Sequence, residues 1–154
     1  MFKEMRRKDK QLTQEETVKV LQDAEYGVLS TTCTNGYPYG VILNFVYSNG
    51  NIYFHSAKQG LKLENIENDN KVSFCAAANV TLLPETFDTN YRSVSLFGKA
   101  IEIFGSEKDE ALKALVEKYS KPFLEAGIEY IKKGSSAARV FKIEIDHLTG
   151  KAQQ

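Results

Sequence analysis

Apolar residues recur along this chain in two periods, and the switches between them mark its elements. Thr13-Gln14-Glu15-Glu16 has the pattern of a capping box, with Thr at the N-cap and Glu three residues on. It predicts a helix to about residue 24, with Val18 and Leu21 on one side. A period of two then takes over. Residues 26–32, 38–47 and 51–55 read as strands, separated by Thr34-Asn35-Gly36 and Ser48-Asn49-Gly50, whose Asn-Gly pairs suit tight turns. Three strands on two short turns imply an antiparallel meander. Residues 58–67 predict a short helix carrying Leu61, Leu63 and Ile66. The run 71–78 is so uniformly apolar that burial on both faces is expected. Residues 91–104 form a long strand interrupted by Gly98, as at a bulge or a barrel corner.

Ser106 is placed to cap a helix over 107–119, whose stripe is Ala111, Leu112, Leu115, Val116 and Tyr119. Pro122 breaks it, and a further short helix runs to about residue 132. In the final strand, 139–146, Phe141, Ile143 and Ile145 alternate against Lys142 and Glu144. The expectation is one domain over 1–154, mainly β with peripheral helices. Its six antiparallel strands escape their edge problem by closing into a barrel.

Charge narrows the function. Lys plus Arg and Asp plus Glu both number 20, so no broad basic face awaits a nucleic-acid backbone; one small anion site remains compatible. The N-terminal arm, residues 1–10, is locally basic: Lys3, Arg6, Arg7, Lys8 and Lys10 face only Glu4 and Asp9. It reads either as a solvated arm or as one whose arginines help hold an anion across a subunit interface. No apolar run approaches the roughly 20 residues of a membrane span, and no apolar h-region opens the chain, so a cytoplasmic protein is expected. Cys33 and Cys75 are then expected as reduced, buried thiols. With two cysteines and two histidines, no metal site is predicted. Neither a Gly-x-Ser-x-Gly elbow nor an HExxH motif is present, which argues against hydrolase chemistry.

The segment Tyr53-Phe54-His55-Ser56-Ala57-Lys58-Gln59-Gly60-Leu61-Lys62 carries the most chemistry. A strand ends and a helix begins here, and helix N-termini offer free N–H groups and a positive dipole end. Ser56 adds a hydroxyl, and Lys58 and Lys62, four apart, would share one helix face. Donors, dipole and two cations together read as a phosphate cradle. The plainer reading is a solvated helix face neutralised by Glu64 and Glu67.

The order His-Ser-Ala, two residues, Gly-Leu-Lys, then Asn-Ile resembles the phosphate-binding stretch of FMN-binding split barrels. This is the pyridoxamine 5'-phosphate oxidase-like superfamily, and the likeness is greatest to its nitroimidazole-resistance-type branch. Arg6-Arg7-Lys8-Asp9, Gly36-Tyr37-Pro38-Tyr39-Gly40-Val41, Ser93 to Ala100 and His147-Leu148-Thr149-Gly150-Lys151 extend the likeness over nearly the whole chain. The resemblance implies FMN as cofactor, with its phosphate on Ser56, Lys62 and Lys58. Main-chain groups of Tyr39, Gly40, Val41 and Ile42 would line the ring, and His55 would lie beside ring or substrate. It also implies a homodimer with the flavin site at its interface, where Ser93 reaches the flavin of the other subunit. True pyridoxamine phosphate oxidases carry Arg-Lys where this chain has Leu61-Lys62, which argues against pyridoxamine phosphate as substrate.

On this reading the protein is an FMN-dependent oxidoreductase acting on a small organic substrate, with nitroaromatics as candidates. His55 would be its catalytic group, because histidine exchanges protons near neutral pH; a structural histidine at a strand end is the plainer assignment. Val41, Leu43 and Phe45 could wall the ring or simply fill the barrel, and Tyr37, Tyr39, Tyr47 and Tyr91 could frame an opening or be sheet aromatics. The alternative function is a flavin- or haem-binding sensor without turnover, with His55 or His147 as haem ligand.

Overall fold

In the computed structural model, which describes residues 1–154, the capping box forms. Thr13 Oγ accepts the Glu16 N–H at 3.2 Å, while a Glu16 carboxylate oxygen accepts the Thr13 N–H at 2.9 Å. Helix α1 (Gln14–Asp23) follows. The sheet comprises β1 (Gly27–Thr32), β2 (Pro38–Leu43), β3 (Val46–Ser48), β4 (Asn51–Ser56), β5 (Lys71–Leu83), β6 (Asp88–Ile103) and β7 (Arg139–Gln153). Helix α2 (Leu61–Asn68) separates β4 from β5, and α3 (Gly105–Tyr119) and α4 (Leu124–Gly134) separate β6 from β7.

Seven strands replace the six expected because the predicted strand over 38–47 is two strands, β2 and β3, parted at Asn44-Phe45. The sheet order is β2-β1-β5-β6-β7-β4-β3, antiparallel throughout. β2 and β3 thus lie at its opposite ends, yet only Asn44 and Phe45 join them. Three Cα–Cα steps reach at most about 11 Å, so the sheet must curl until its two edges meet. That is a barrel with a split between β2 and β3. It also corrects the simple meander, since β2 and β4 are not neighbours.

The barrel is filled by an 18-residue cluster that includes Leu29, Phe45, Ile52, Phe54, Phe74, Leu96 and Ile143, capped by Val20 and Leu21 of α1. A second cluster packs Ala111, Leu112 and Leu115 of α3 on Val46, Tyr53 and Val140. Gly98 marks the predicted bulge: the β6–β7 register slips between Phe97 and Gly98, and a Cβ there would meet the Glu144 carbonyl oxygen at 2.2 Å.

Four further expectations change. β5 is not buried on both faces: Val72, Phe74, Ala76 and Ala78 point inward while Cys75 and Ala77 are exposed. The cysteines are therefore not buried; Cys75 occupies an outward position of β5, and Cys33 is half-buried in the β1–β2 turn. Ser106 caps nothing, because Gly105, at φ +61°, starts α3 one residue earlier. β7 runs to Gln153, since its C-terminal half pairs with β6 out to Tyr91.

Candidate functional site

Side chains of β4 alternate, so Ile52, Phe54 and Ser56 share the inward face. Ile52 and Phe54 fill the barrel; Ser56 continues their row at its end and is 5% exposed. Its Oγ has no hydrogen-bond partner within the protein. A buried hydroxyl without a partner costs free energy of about 1–3 kcal/mol, so one on a residue that borders a cavity is a candidate ligand contact. A cleft of about 490 Å³ lies against it, between the end of β4 and the helices α3 and α4, lined by Asn44, His55, Ser56, Leu115, Tyr130 and Ile131 among others. That size suits a small molecule or a cofactor. His55 is exposed on its wall.

Beyond Ser56 the chain turns through residues 57–60 and enters α2. Gly60 is the N-cap at φ +147°, ψ +161° and provides no side-chain cap, so the first N–H groups of α2 are offered without a side-chain acceptor. The helix starts later than predicted, which leaves Lys58 in the turn and off the helical face of Lys62. Lys58 is exposed and Lys62 half-buried. Lys58 and Lys62 both lack ion-pair and side-chain hydrogen-bond partners. Glu64 and Glu67, the predicted neutralisers, pair with neither; Glu67 accepts from Arg139 instead, at 3.3 Å.

Asn44 and Tyr119 also line a neighbouring cleft of about 550 Å³ that reaches Ile42 and Lys118. The two clefts meet where β2 and β3 part. β2 pairs only with β1, so one of its edges carries unpaired backbone groups. Tyr39, Gly40 and Val41 lie along this strand and line neither cleft; Gly40 and Ile42 face outward. Ser93 stands apart on the outer face of β6, opposite Ala77 and Lys151, its Oγ 3.5 Å from the Lys151 carbonyl oxygen. Leu43 and Val41 pack on the barrel core and Phe45 is fully inside it, so barrel filling is their role.

Electrostatics around the clefts is set by burial. It pushes the Lys118 ammonium down to about 8, with Asp23 opposing, and raises the Tyr119 phenol. In the N-terminal arm, Arg7 pairs with Asp9 (2.8 Å) and Lys8 with Glu4, so two of its five cations are neutralised within it. His147 lies far from His55 in the sheet, stacked under Phe2 at 5.0 Å between ring centroids.

Sequence reading missed Asn44, Tyr119 and Arg139. Asn44 carried a usable signal, an amide of low strand propensity within an apolar run. In the sequence, Tyr119 is indistinguishable from the rest of the α3 apolar stripe. Arg139 carried none, because its place opposite Ser56 depends on the β4–β7 register.

The model of a family described as pyridoxamine 5'-phosphate oxidase matches residues 13–152. No curated protein matches the chain. Among solved structures it is similar to a candidate 5-nitroimidazole antibiotic resistance protein from Bacteroides thetaiotaomicron, at TM-score 0.73 and 24% identity over 94% of this chain and 90% of that one. A conserved hypothetical protein from Mycobacterium tuberculosis superposes at TM-score 0.82 and 19% identity, covering 97% and 90%. An FAD-binding protein from Mesorhizobium loti does so at 0.67 and 22%, covering 94% and 97%. At these identities the structural likeness establishes the fold.

Proposed function

The chain belongs to the pyridoxamine 5'-phosphate oxidase family, and from that premise we propose that it is a cytoplasmic flavoprotein that binds FMN and reduces a small organic molecule, with nitroaromatics as the first class to try. The observation that carries the reading is the Ser56 hydroxyl, buried and without a partner on a residue that borders the cleft, two residues before Lys58 and six before Lys62. These groups fit a phosphate dianion: one neutral donor, two unpaired ammonium groups and a helix start. The FAD-binding description of a similar structure supports a flavin in general. Leu61 in place of a second adjacent cation argues against pyridoxamine phosphate as the substrate.

A bound flavin supplies the electron transfer; the protein supplies place, polarity and exclusion of water. Ser56, Lys62 and Lys58 would hold its phosphate. The free edge of β2, from Tyr39 to Ile42, offers backbone N–H and C=O groups to the polar edge of a ring. His55, on the cleft wall, is placed to hold or deliver a proton to an acceptor bound there. No helix is long and apolar enough to cross a membrane.

The reading includes a homodimer. On the outer sheet face, cross-strand neighbours Ile42, Val28, Cys75, Ser95 and Thr149 form one row of mostly small side chains. An outward-facing row of this kind can meet its own copy across a two-fold axis, and pairing there would bring the partner's Ser93 towards the flavin. Sedimentation of the purified protein is expected to give a dimer.

The test is an absorbance spectrum of the purified protein, followed by mass analysis of the chromophore that heat releases. A yellow protein that bleaches with dithionite and releases FMN supports the proposal. A colourless protein without affinity for added FMN overturns it. A Soret band lost in His55→Ala would instead assign haem.

A further inference from the structure

We propose that Arg139 is the positioning residue of the phosphate cradle, holding the turn before Gly60 and the helix after it in one arrangement against the sheet. This rests on the flavin reading above. Arg139 opens β7 and is the direct cross-strand neighbour of Ser56. Its guanidinium is forked on Glu102 of β6, Nε to Oε1 at 2.9 Å and Nη2 to Oε2 at 2.8 Å. From that fixed plane Nη1 donates to the Lys58 carbonyl oxygen at 3.4 Å, and Nη2 donates to the Glu67 carboxylate at 3.3 Å. One rigid group therefore reaches the turn, α2 and two strands.

The turn needs such a brace. The bond from Arg139 is the only hydrogen bond made by residues 57–59. Gly60, at φ +147°, adds a joint with wide conformational freedom. Without the brace, the backbone that carries Lys58 and leads into Lys62 would sample many arrangements, and a phosphate would have to order it on binding. Arg139 does not serve as a third phosphate cation. Four of its five donors are committed, and the two carboxylates it meets outweigh its single positive charge. Lysine cannot replace it, because one ammonium cannot fork on Glu102 and still reach both Lys58 and Glu67.

Brace and charge make opposite predictions at Glu67. Removing an acidic side chain near an anion site would strengthen phosphate binding by simple Coulomb attraction. Removing a strut would weaken it. The experiment titrates wild type, Arg139→Lys and Glu67→Ala with FMN and with riboflavin, which lacks the phosphate, following flavin fluorescence. The expected result is an FMN affinity lowered about tenfold in Arg139→Lys, which keeps the charge, and lowered about two- to threefold in Glu67→Ala. Riboflavin affinity should be unchanged in both. An FMN affinity unchanged or raised in Glu67→Ala overturns the brace, as does an equal loss for FMN and riboflavin in Arg139→Lys. Glu67 is exposed, so its variant keeps the test open should Arg139→Lys not fold. Wild type that binds neither ligand refutes the flavin reading itself, and is distinguished from failure of the brace by that arm alone.

Discussion

The Tyr119 hydroxyl accepts the N–H of Phe45 at 3.0 Å and lies 2.9 Å from the carbonyl oxygen of the same residue. Its proton is shared with the Glu25 carbonyl oxygen at 2.6 Å. Phe45 sits where the two sheet edges meet without pairing, so the backbone groups that a neighbouring strand would satisfy are satisfied by a side chain from the end of α3. One phenol thus ties the β2–β3 connection to Glu25, which follows α1 and precedes β1, next to the cleft that Asn44 and Tyr119 line.

Tyr119→Phe leaves the buried Phe45 N–H unpaired and should cost about 1–3 kcal/mol. Urea denaturation should show a lower midpoint with an unchanged slope. An unchanged midpoint would mean that water replaces the hydroxyl at no cost, and that the split is held by packing alone.

Ser56→Ala should separate stability from binding. The hydroxyl is buried without a partner in the protein alone, so its removal should leave the flavin-free protein as stable as wild type or more so, by up to about 1 kcal/mol. The same change should lower FMN affinity about ten- to a hundredfold, since a hydrogen bond to a charged group contributes about 1.5–3 kcal/mol. Adding Lys62→Ala should abolish stoichiometric flavin while circular dichroism keeps the fold. A large loss of stability in flavin-free Ser56→Ala would show that the hydroxyl has a structural role.

Lys118 gives a pH dependence with a definite sign. Burial lowers its folded-state pKa to about 8, against about 10.4 for an unfolded chain. The Phe45 ring lies 3.9 Å from its Nζ and favours the charged form, so burial outweighs that attraction. Between those two pH values the unfolded chain holds more protons than the folded one, and this group makes stability rise with pH. Below pH 8 both states carry the ammonium, and the folded state bears the cost of burying it. Lys118→Met should flatten the rise between pH 8 and 10 in urea midpoints, with the other titrations common to both proteins. A variant whose profile parallels wild type would contradict the shift.

Much of this was legible in the sequence, because local patterns dictated it. The Thr13–Glu16 box, the Asn49-Gly50 turn and the Gly98 bulge are short-range chemistry, and each formed where expected. Period-two runs located the strands, and the proposed phosphate ligands Ser56 and Lys62 lie in one contiguous stretch. Long-range matters were not legible. The break at Asn44-Phe45 depends on the Tyr119 hydroxyl arriving from 74 residues away. The apolar run 71–78 suggests double burial because Cys75 and Ala77 resemble core residues, and only pairing with β1 and β6 shows that they face outward. Gly60, as N-cap with its unusual backbone angles, makes the helix begin later than the pattern predicts, which leaves Lys58 off the Lys62 face. Arg139 was invisible because register, not spacing, sets it opposite Ser56.

On the proposed function, the end of β4 and the start of α2 together grip a phosphate. Equilibrium titration of the wild-type protein with FMN and riboflavin, side by side at low and moderate salt, tests it most directly. Such a grip requires an FMN affinity at least about tenfold above that of riboflavin, with the gap narrowing as salt screens the lysines. Equal affinity for the two ligands, at either salt, would contradict it.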